Sequence, residues 1–407
     1  MTETTLADVA SAIIPMEDAP RQDGKPTCTF ASLLAHPDRN PFLNWHPIPL
    51  SIRHYRIPNV VLEARFRGLF VGDAYVRDTR YLTLEAVVRD FRVRPREEIS
   101  TPTLAGPAII GSNGPSHNYF HWMTQALPAL DIAVRREGQS RRVSLVLPIL
   151  TPWQEDALRL LGHADLPRVT VERSERQYFF PEVEYSNILT GSSAFSRSNV
   201  VRETFRRLRD AVETTGPRNK ALYVARTDGG NRPMRNEAAL IVGMKARGLE
   251  IIEPGRMTLA EQIATFKHAS IVVGPHGAGL SNVIFCTPGT MLYEILPAAY
   301  DNACFCNLAL AADLQYWADT FESEGHPNVD AYLRDWESDT VQVLARVDEI
   351  MAHLDRQRED ERSAPITAMD FLRGKDGIPT DHEASTAEPD APVGGFRRLL
   401  RRLFGRE

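Results

Sequence analysis

With 407 residues the chain is long enough for two or three domains, each able to bury its own core. Its 43% hydrophobic and 25% charged content is that of an ordinary soluble globular protein, and a formal net charge of -6 gives no overall bias toward nucleic acid. Four cysteines (Cys28, Cys286, Cys304, Cys306) are too few and too irregular for a disulfide framework, and Cys304-x-Cys306 lacks the second pair of a zinc site. No basic, apolar leader opens the chain and no stretch approaches the roughly 20 apolar residues of a membrane span, so a cytoplasmic location is expected.

Residues 1–40 mix Pro, Asp, Gly and Thr with few periodic apolar positions and read as a loosely held leader. An N-terminal domain is expected over 41–215. It opens with alternating segments between Tyr55 and Val93 that predict antiparallel strands, with turns at Gly68 and Gly72. A buried strand at Ala105–Gly111 leads to a helix in NYFHWMTQALPAL, whose apolar residues at 119, 122, 123, 126, 127 and 130 recur at helical spacing. His117 and His121 would share a face of that helix if it starts early enough. Strand and helix then alternate to a helix over Asn199–Glu213, and Thr214-Thr215-Gly216-Pro217 marks the domain boundary.

A second domain is expected over 216–360. Its first strand, Ala221–Ala225, delivers Arg226 at its carboxyl end, and a loop follows to Arg235-Asn236-Glu237 and a helix closed by Gly248. Thr258-Leu259-Ala260-Glu261 is a capping box. The strand Ser270–Val273 then stops at Gly274-Pro275-His276-Gly277-Ala278-Gly279, whose glycines expose backbone N–H groups ahead of a short helix from Leu280 or Ser281, an anion seat. Met291–Leu296, carrying Glu294, is the next strand. The βαβαβ order predicts right-handed crossovers and a parallel sheet. After Pro297 the chain reads as helical and polar, with amphipathic helix between Leu333 and Asp360. Residues 361–394 are expected to form a disordered linker, and within 395–407 Arg397, Arg398, Arg401 and Arg402 stand opposite Phe396, Leu399, Leu400, Leu403 and Phe404, the pattern of a basic amphipathic helix suited to an anionic membrane surface or a partner.

Ligands of open α/β sheets bind outside the carboxyl ends of the strands. Arg226 and Arg235 for phosphates, the loop N–H groups for their oxygens and Glu294 for ribose hydroxyls suit a nucleotide diphosphate. No G-x-x-x-x-G-K-[ST] occurs, and Asn282 stands where the dinucleotide fingerprint wants its third glycine, which disfavours a P-loop enzyme and an NAD enzyme. No G-x-S-x-G, H-E-x-x-H or D-x-D motif points to a hydrolase or a divalent metal.

GPHGAGLSNVIFCTPGTMLYEILP, preceded by LYVAR, RNE and the Thr-capped helix, with NYFHWMTQALPAL upstream, resembles glycosyltransferase family 61, bacterial members of which serve capsular polysaccharide biosynthesis. The resemblance spans roughly Gly106 to Pro297. It implies a GT-B-like fold of two Rossmann-like domains facing a cleft, a nucleotide-sugar donor held by the C-terminal domain, a glycan acceptor, inversion at the anomeric carbon, and no obligatory metal or other cofactor. By that resemblance Arg226, Arg235, His276, Gly277, Ala278, Gly279, Asn282 and Glu294 form the donor site, faced by Asn118, His121 and Trp122. Transfer needs a general base, and His121 is the expectation because imidazole titrates near working pH. The chain departs from the family at Gln125, often Glu there. An amide cannot act as a base, so a non-catalytic nucleotide-binding protein of the same fold is the alternative.

Overall fold

The computed structural model describes residues 2–18, 50–81, 88, 91–137, 143–172, 177–191, 198–226, 232–298, 300, 302–322 and 335–363. Among them, fourteen strands form two sheets inside one compact unit, Met1–Thr340. The residues from Val341 onward form a second unit, of which the described part is most of helix α9 (Thr340–Ser363). Residues 361–363 continue that helix; the rest of the expected linker and the basic helix over 395–407 lie outside the described residues.

The first sheet runs β1-β5-β4-β3-β9-β6-β7-β8, where β1 is Glu3–Thr4, with β2 also paired to β3. Its antiparallel part is the meander expected from the alternating segments: β3 (Ile52–Glu63), β4 (Leu69–Val71) and β5 (Ala74–Val76). Its parallel part is β6 (Ala108–Ile110), β7 (Ser144–Leu147), β8 (Arg168–Thr170) and β9 (Gln177–Ser186). The chain leaves β6 toward β8 on one side and returns to β9 on the other. The direction of travel therefore reverses at the carboxyl ends of β6 and β9, the place in an open α/β sheet where ligands bind as a rule.

Residues 3–17 are not the loose leader their composition predicts. A reciprocal capping box between Thr5 and Asp8 starts α1 (Leu6–Val9), and β2 (Ala12–Glu17) pairs antiparallel with β3. Glu17 then accepts from Ser198 Oγ (2.6 Å), Asn199 N (2.9 Å) and Val200 N (3.1 Å) at the start of α5 (Asn199–Asp210). A carboxylate on those orphan N–H groups is the favourable sign for a helix N-terminus.

The second sheet, β11-β10-β12-β13-β14, is parallel throughout, as the βαβαβ order predicts. Its strands are β10 (Lys220–Val224), β11 (Glu250–Ile252), β12 (Ala269–Pro275), β13 (Met291–Pro297) and β14 (Gln315–Phe321). Here the reversal falls between β10 and β12. Gly248 has φ +80 as a helix C′ residue should, and Thr258 and Glu261 cap α7 (Leu259–Lys267) reciprocally. Helix follows Pro297 as expected, and the helix expected between Leu333 and Asp360 is α9, but the first stretch is apolar rather than polar and a strand stands outside the expectation. The chain forms the apolar helix α8 (Cys304–Ala311) and then β14, whose strand signal is masked by Asp319, buried and bonded by Tyr293 Oη (2.9 Å).

One apolar core runs under both sheets, and helices join them: α4 (Pro152–Leu160) and α5 pack on α7, and α5 also packs on the 3-10 helix Ala278–Phe285. Behind this seam Asp131 is fully buried on α3 (Leu127–Glu137). It accepts from Thr204 Oγ1 (2.7 Å), His163 Nε2 (2.8 Å) and Arg135 Nε (3.0 Å), and pairs with Arg207. Burial alone would raise its carboxyl pKa; the hydrogen bonds from His163 and Thr204 and the two arginine charges outweigh burial and hold it at about 2. Because the folded pKa is depressed, this contribution is present above the unfolded carboxyl pKa of about 3.9 and is lost as pH falls toward 2. Asp131→Ala leaves the half-buried Arg135 and Arg207 and the buried Thr204 and His163 without this acceptor and should cost about 1–3 kcal/mol in urea denaturation at pH 7, with the difference from the parent protein shrinking as pH falls through that window.

Candidate active site

Val224 ends β10, and the chain turns outward through Ala225 and Arg226. The Arg226 backbone N–H donates to Glu237 Oε1 (2.8 Å), which also accepts from Tyr223 Oη (3.1 Å), so the start of α6 (Glu237–Ala246) fixes the residue. Its guanidinium donates from Nη1 to the His276 carbonyl (2.7 Å). The glycines opposite are there for close approach. A Cβ at Gly277 would stand 2.9 Å from Arg226 Nε, one at Gly279 3.0 Å from Val224 Cγ1, and one at Gly274 3.0 Å from the Val224 carbonyl. The loop therefore lies directly against the end of β10, across the point where the sheet reverses.

After the loop the backbone winds into a 3-10 helix, Ala278–Phe285, rather than the α-helix expected from Leu280. Its first internal bond is Leu280 N to Gly277 O (3.0 Å), so the Ala278 and Gly279 N–H groups precede any helical acceptor. Ala278 and Gly279 line a cavity of about 370 Å³ together with Arg226, Gly277 and Gln262. The other wall is Tyr119 and Trp153, rings 5.1 Å apart, with Pro254, Gly255 and Met257. Among the described residues that line it, one is a cation and none is a carboxylate, which gives an anion-seeking end and an aromatic end.

Beneath the loop, His276 is buried. Its Nδ1 lies 2.5 Å from Glu294 Oε1, and Tyr316 Oη donates to Glu294 Oε2 (2.5 Å). Burial is the largest influence on His276 and lowers its pKa. His276 Nε2 faces Cys304 Sγ at 4.0 Å, and burial pushes that thiol up. Glu294, expected at ribose hydroxyls, has both oxygens engaged inside the fold. His276 presents its carbonyl to Arg226 and keeps its ring in the interior.

Asn282 is also fully buried and is not part of the wall of this cavity. It accepts from Tyr119 Oη (2.6 Å) and donates to Gln262 Oε1 (2.9 Å) and Gly279 O (3.1 Å). Arg235 stands outside the cavity wall, 43% exposed, paired with Glu337 (3.2 Å). On the first sheet's side Asn118 is the N-cap of α2 (Tyr119–His121), accepting from Phe120 N (2.9 Å). The helix thus starts after His117, which is exposed and does not share a face with His121. Trp122, expected to face the donor, has no exposed surface and packs edge-on to Trp153.

A π-helical turn, Trp122–Ala126, joins α2 to α3 and closes with Leu127 N donating to Trp122 O. Pro128 follows directly. Proline has no N–H to donate, its ring crowds the carbonyl one turn back, and the wider turn accommodates it. His121 lies at the head of this turn, near the carboxyl ends of β6 and β9. Burial is the main cause that pushes its pKa down to about 4, so the imidazole is neutral at physiological pH. Among the described residues no group of three or more His, Cys, Asp or Glu side chains is placed to hold a metal ion.

The placement thus brings Arg226, Gly277, Ala278 and Gly279 to one cavity and sends Asn282, Glu294 and the His276 ring beneath it. Tyr119, Trp153, Pro254 and Met257 carry no such expectation in the sequence, because aromatic residues at helical spacing read as core.

Residues 119–293, the stretch holding nearly all of these groups, match the family model described as Glycosyltransferase 61. Over this segment the chain is similar to glycosyltransferase family 61. Two curated relatives are similar over shorter stretches. Beta-1,2-xylosyltransferase of Arabidopsis thaliana is 28% identical over 78 residues, 19% of this chain and 15% of that protein. Beta-1,2-xylosyltransferase RCN11 of Oryza sativa subsp. japonica is 36% identical over 62 residues, 15% of this chain and 12% of that protein. The match covers less than a fifth of each relative's length.

Gly277→Ala should push the Arg226 guanidinium off the His276 carbonyl while leaving the buried Glu294 anchor in place. A charged hydrogen bond is worth about 1.5–3 kcal/mol, so affinity for inorganic pyrophosphate measured by calorimetry should fall by about one to two orders of magnitude, with the melting temperature little changed.

Proposed function

We propose that the chain is an inverting, metal-independent glycosyltransferase of GT-B arrangement, with residues 41–215 as acceptor half and 216–360 as donor half. The observation that carries this reading is the cavity at the reversal between β10 and β12, within a family 61 segment, with Arg226 and free-standing loop N–H groups at one end and Tyr119 and Trp153 at the other. Such a cavity suits a nucleotide sugar, its diphosphate on the cationic end and its planar base against aromatic and apolar side chains. The acceptor hydroxyl attacks the anomeric carbon as the bond to the diphosphate breaks. His121 takes the hydroxyl proton, and Arg226 with the loop N–H groups receives the charge that collects on the departing diphosphate. Because that positive potential comes from the chain itself, no cofactor is called for. The printed activity of the two relatives makes a pentose the first sugar to try. A growing surface or capsular polysaccharide is the acceptor proposed, and the arginine-rich segment 395–407 would hold the cytoplasmic enzyme at the anionic inner leaflet, where a lipid-linked acceptor would reside.

His121→Asn should lower turnover by about two to four orders of magnitude while nucleoside diphosphate binding persists. Arg226→Ala should weaken that binding. With His121 at about 4, the base stays unprotonated until far below the usual histidine range, so the acid limb of turnover attributable to it lies near pH 4. Among the described residues, Tyr81 beside the ring and the charge of His117 act on it. Turnover by His121→Asn at the parent rate refutes the base assignment; a nucleotide-sugar screen with no transfer and no hydrolysis leaves the non-catalytic reading. Equal co-sedimentation with anionic vesicles for the full chain and one lacking 395–407 removes the membrane role.

A further inference from the structure

Gln125 sits within the π turn with no exposed surface, and its carbonyl oxygen lies 2.9 Å from His121 Nδ1. Which end of the amide faces the imidazole is settled by what lies behind it. The Leu189 carbonyl, just beyond β9, can only accept, so the Asn113 atom 3.0 Å from it is the amide nitrogen. Ser116 agrees: its hydroxyl donates to Asn113 Oδ1 (2.6 Å) and accepts from Asn113 N (2.7 Å). The second hydrogen of Asn113 Nδ2 then points at Gln125, 3.2 Å away, and needs an acceptor there. Reversing the Gln125 amide would set two N–H groups against each other. The orientation has a cost, since Gln125 Nε2 is left buried without a hydrogen-bond partner among the described residues.

An oxygen that faces His121 Nδ1 requires that nitrogen to carry the hydrogen. We propose that Gln125, held by the Asn113–Leu189 relay, is a positioning residue that locks His121 in the Nδ1–H tautomer and leaves the lone pair on Nε2 as the basic site. The relay joins the segments that follow β6 and β9, so the strand reversal there sets the proton inventory of the imidazole. Tyr81 Oη, 3.4 Å from Nδ1, is on the same side of the ring and leaves Nε2 clear. Gln125 so placed acts through His121 and exchanges no proton itself. The use of that lone pair in catalysis rests on the glycosyltransferase reading; the tautomer does not.

The test is nitrogen NMR of the full chain at pH 7, labelled with [15N]histidine, with the His121 signals assigned by their loss in His121→Asn. The expected result is a protonated Nδ1 and an unprotonated Nε2 in the parent protein, retained in Gln125→Glu, which keeps an acceptor oxygen. Gln125→Leu should lose this pattern to a tautomer mixture or to Nε2–H. A parent spectrum with Nε2–H, or a Gln125→Leu spectrum identical to the parent's, overturns the proposal; the parent and Gln125→Glu measurements decide it even if Gln125→Leu fails to fold. In transfer assays Gln125→Leu should lose kcat by tenfold or more with donor KM unchanged, the split that loss of a correctly oriented base produces. The expected spectra together with full activity of His121→Asn would retain the tautomer lock and refute the base assignment instead.

Discussion

One side-chain amide sets the spacing between the two sheets' chemistry. Asn282 receives the Tyr119 hydroxyl on its oxygen and gives its two hydrogens to Gln262 and the Gly279 carbonyl, so both ends of a fully buried amide are bonded. A buried amide with unmet partners is expensive, and each of these bonds therefore resists sliding of one surface over the other. Tyr119 opens the helix that bears His121, and Gly279 is in the loop that faces Arg226. The distance between the His121 helix on one sheet's side and the glycine loop on the other's is thereby held by bonds rather than by shape alone.

The loop itself is held from below. Glu294 grips His276 and Tyr316, and glycine at 274, 277 and 279 lets the backbone descend onto Val224 and Arg226. This is a division of labour between side chains that point down and backbone that points up. It explains why residues of strong chemical character, an imidazole and a carboxylate, occupy the interior while plain amides line the cavity. Preorganised N–H groups of this sort need no reorganisation when charge arrives on them.

Much of this architecture was legible in the chain. Parallel pairing of the second sheet followed from strand and helix alternation, and Arg226 and the glycines were readable because strand ends and glycine loops have few other uses. The roles of Glu294 and Asn282 were not readable, because position near a strand end does not say whether a side chain faces the ligand or the core. Their partners, Tyr316, Tyr119 and Gln262, are 22, 163 and 20 residues away. Residues 3–17 look like leader because their stabilising contacts, above all Glu17 with the start of α5, are long-range. Asp319 hid β14 by being an acid in an interior strand. The π turn escaped notice since its apolar positions fit an α-helical period equally well; only Pro128, inside a helical pattern, signalled irregular backbone.

That turn has a consequence for how such a site could change. A π turn holds one residue more than the α-helix needs, and each residue rotates the helix by about 100°. With one residue fewer between Trp122 and Leu127, α3 could keep its packing while the groups before the turn swung to another bearing. His121 and Gln125 would then no longer meet the Asn113 relay. The alignment of imidazole and amide is thus a matter of helix length as much as of residue identity, and a single-residue insertion or deletion could switch it without altering any functional side chain.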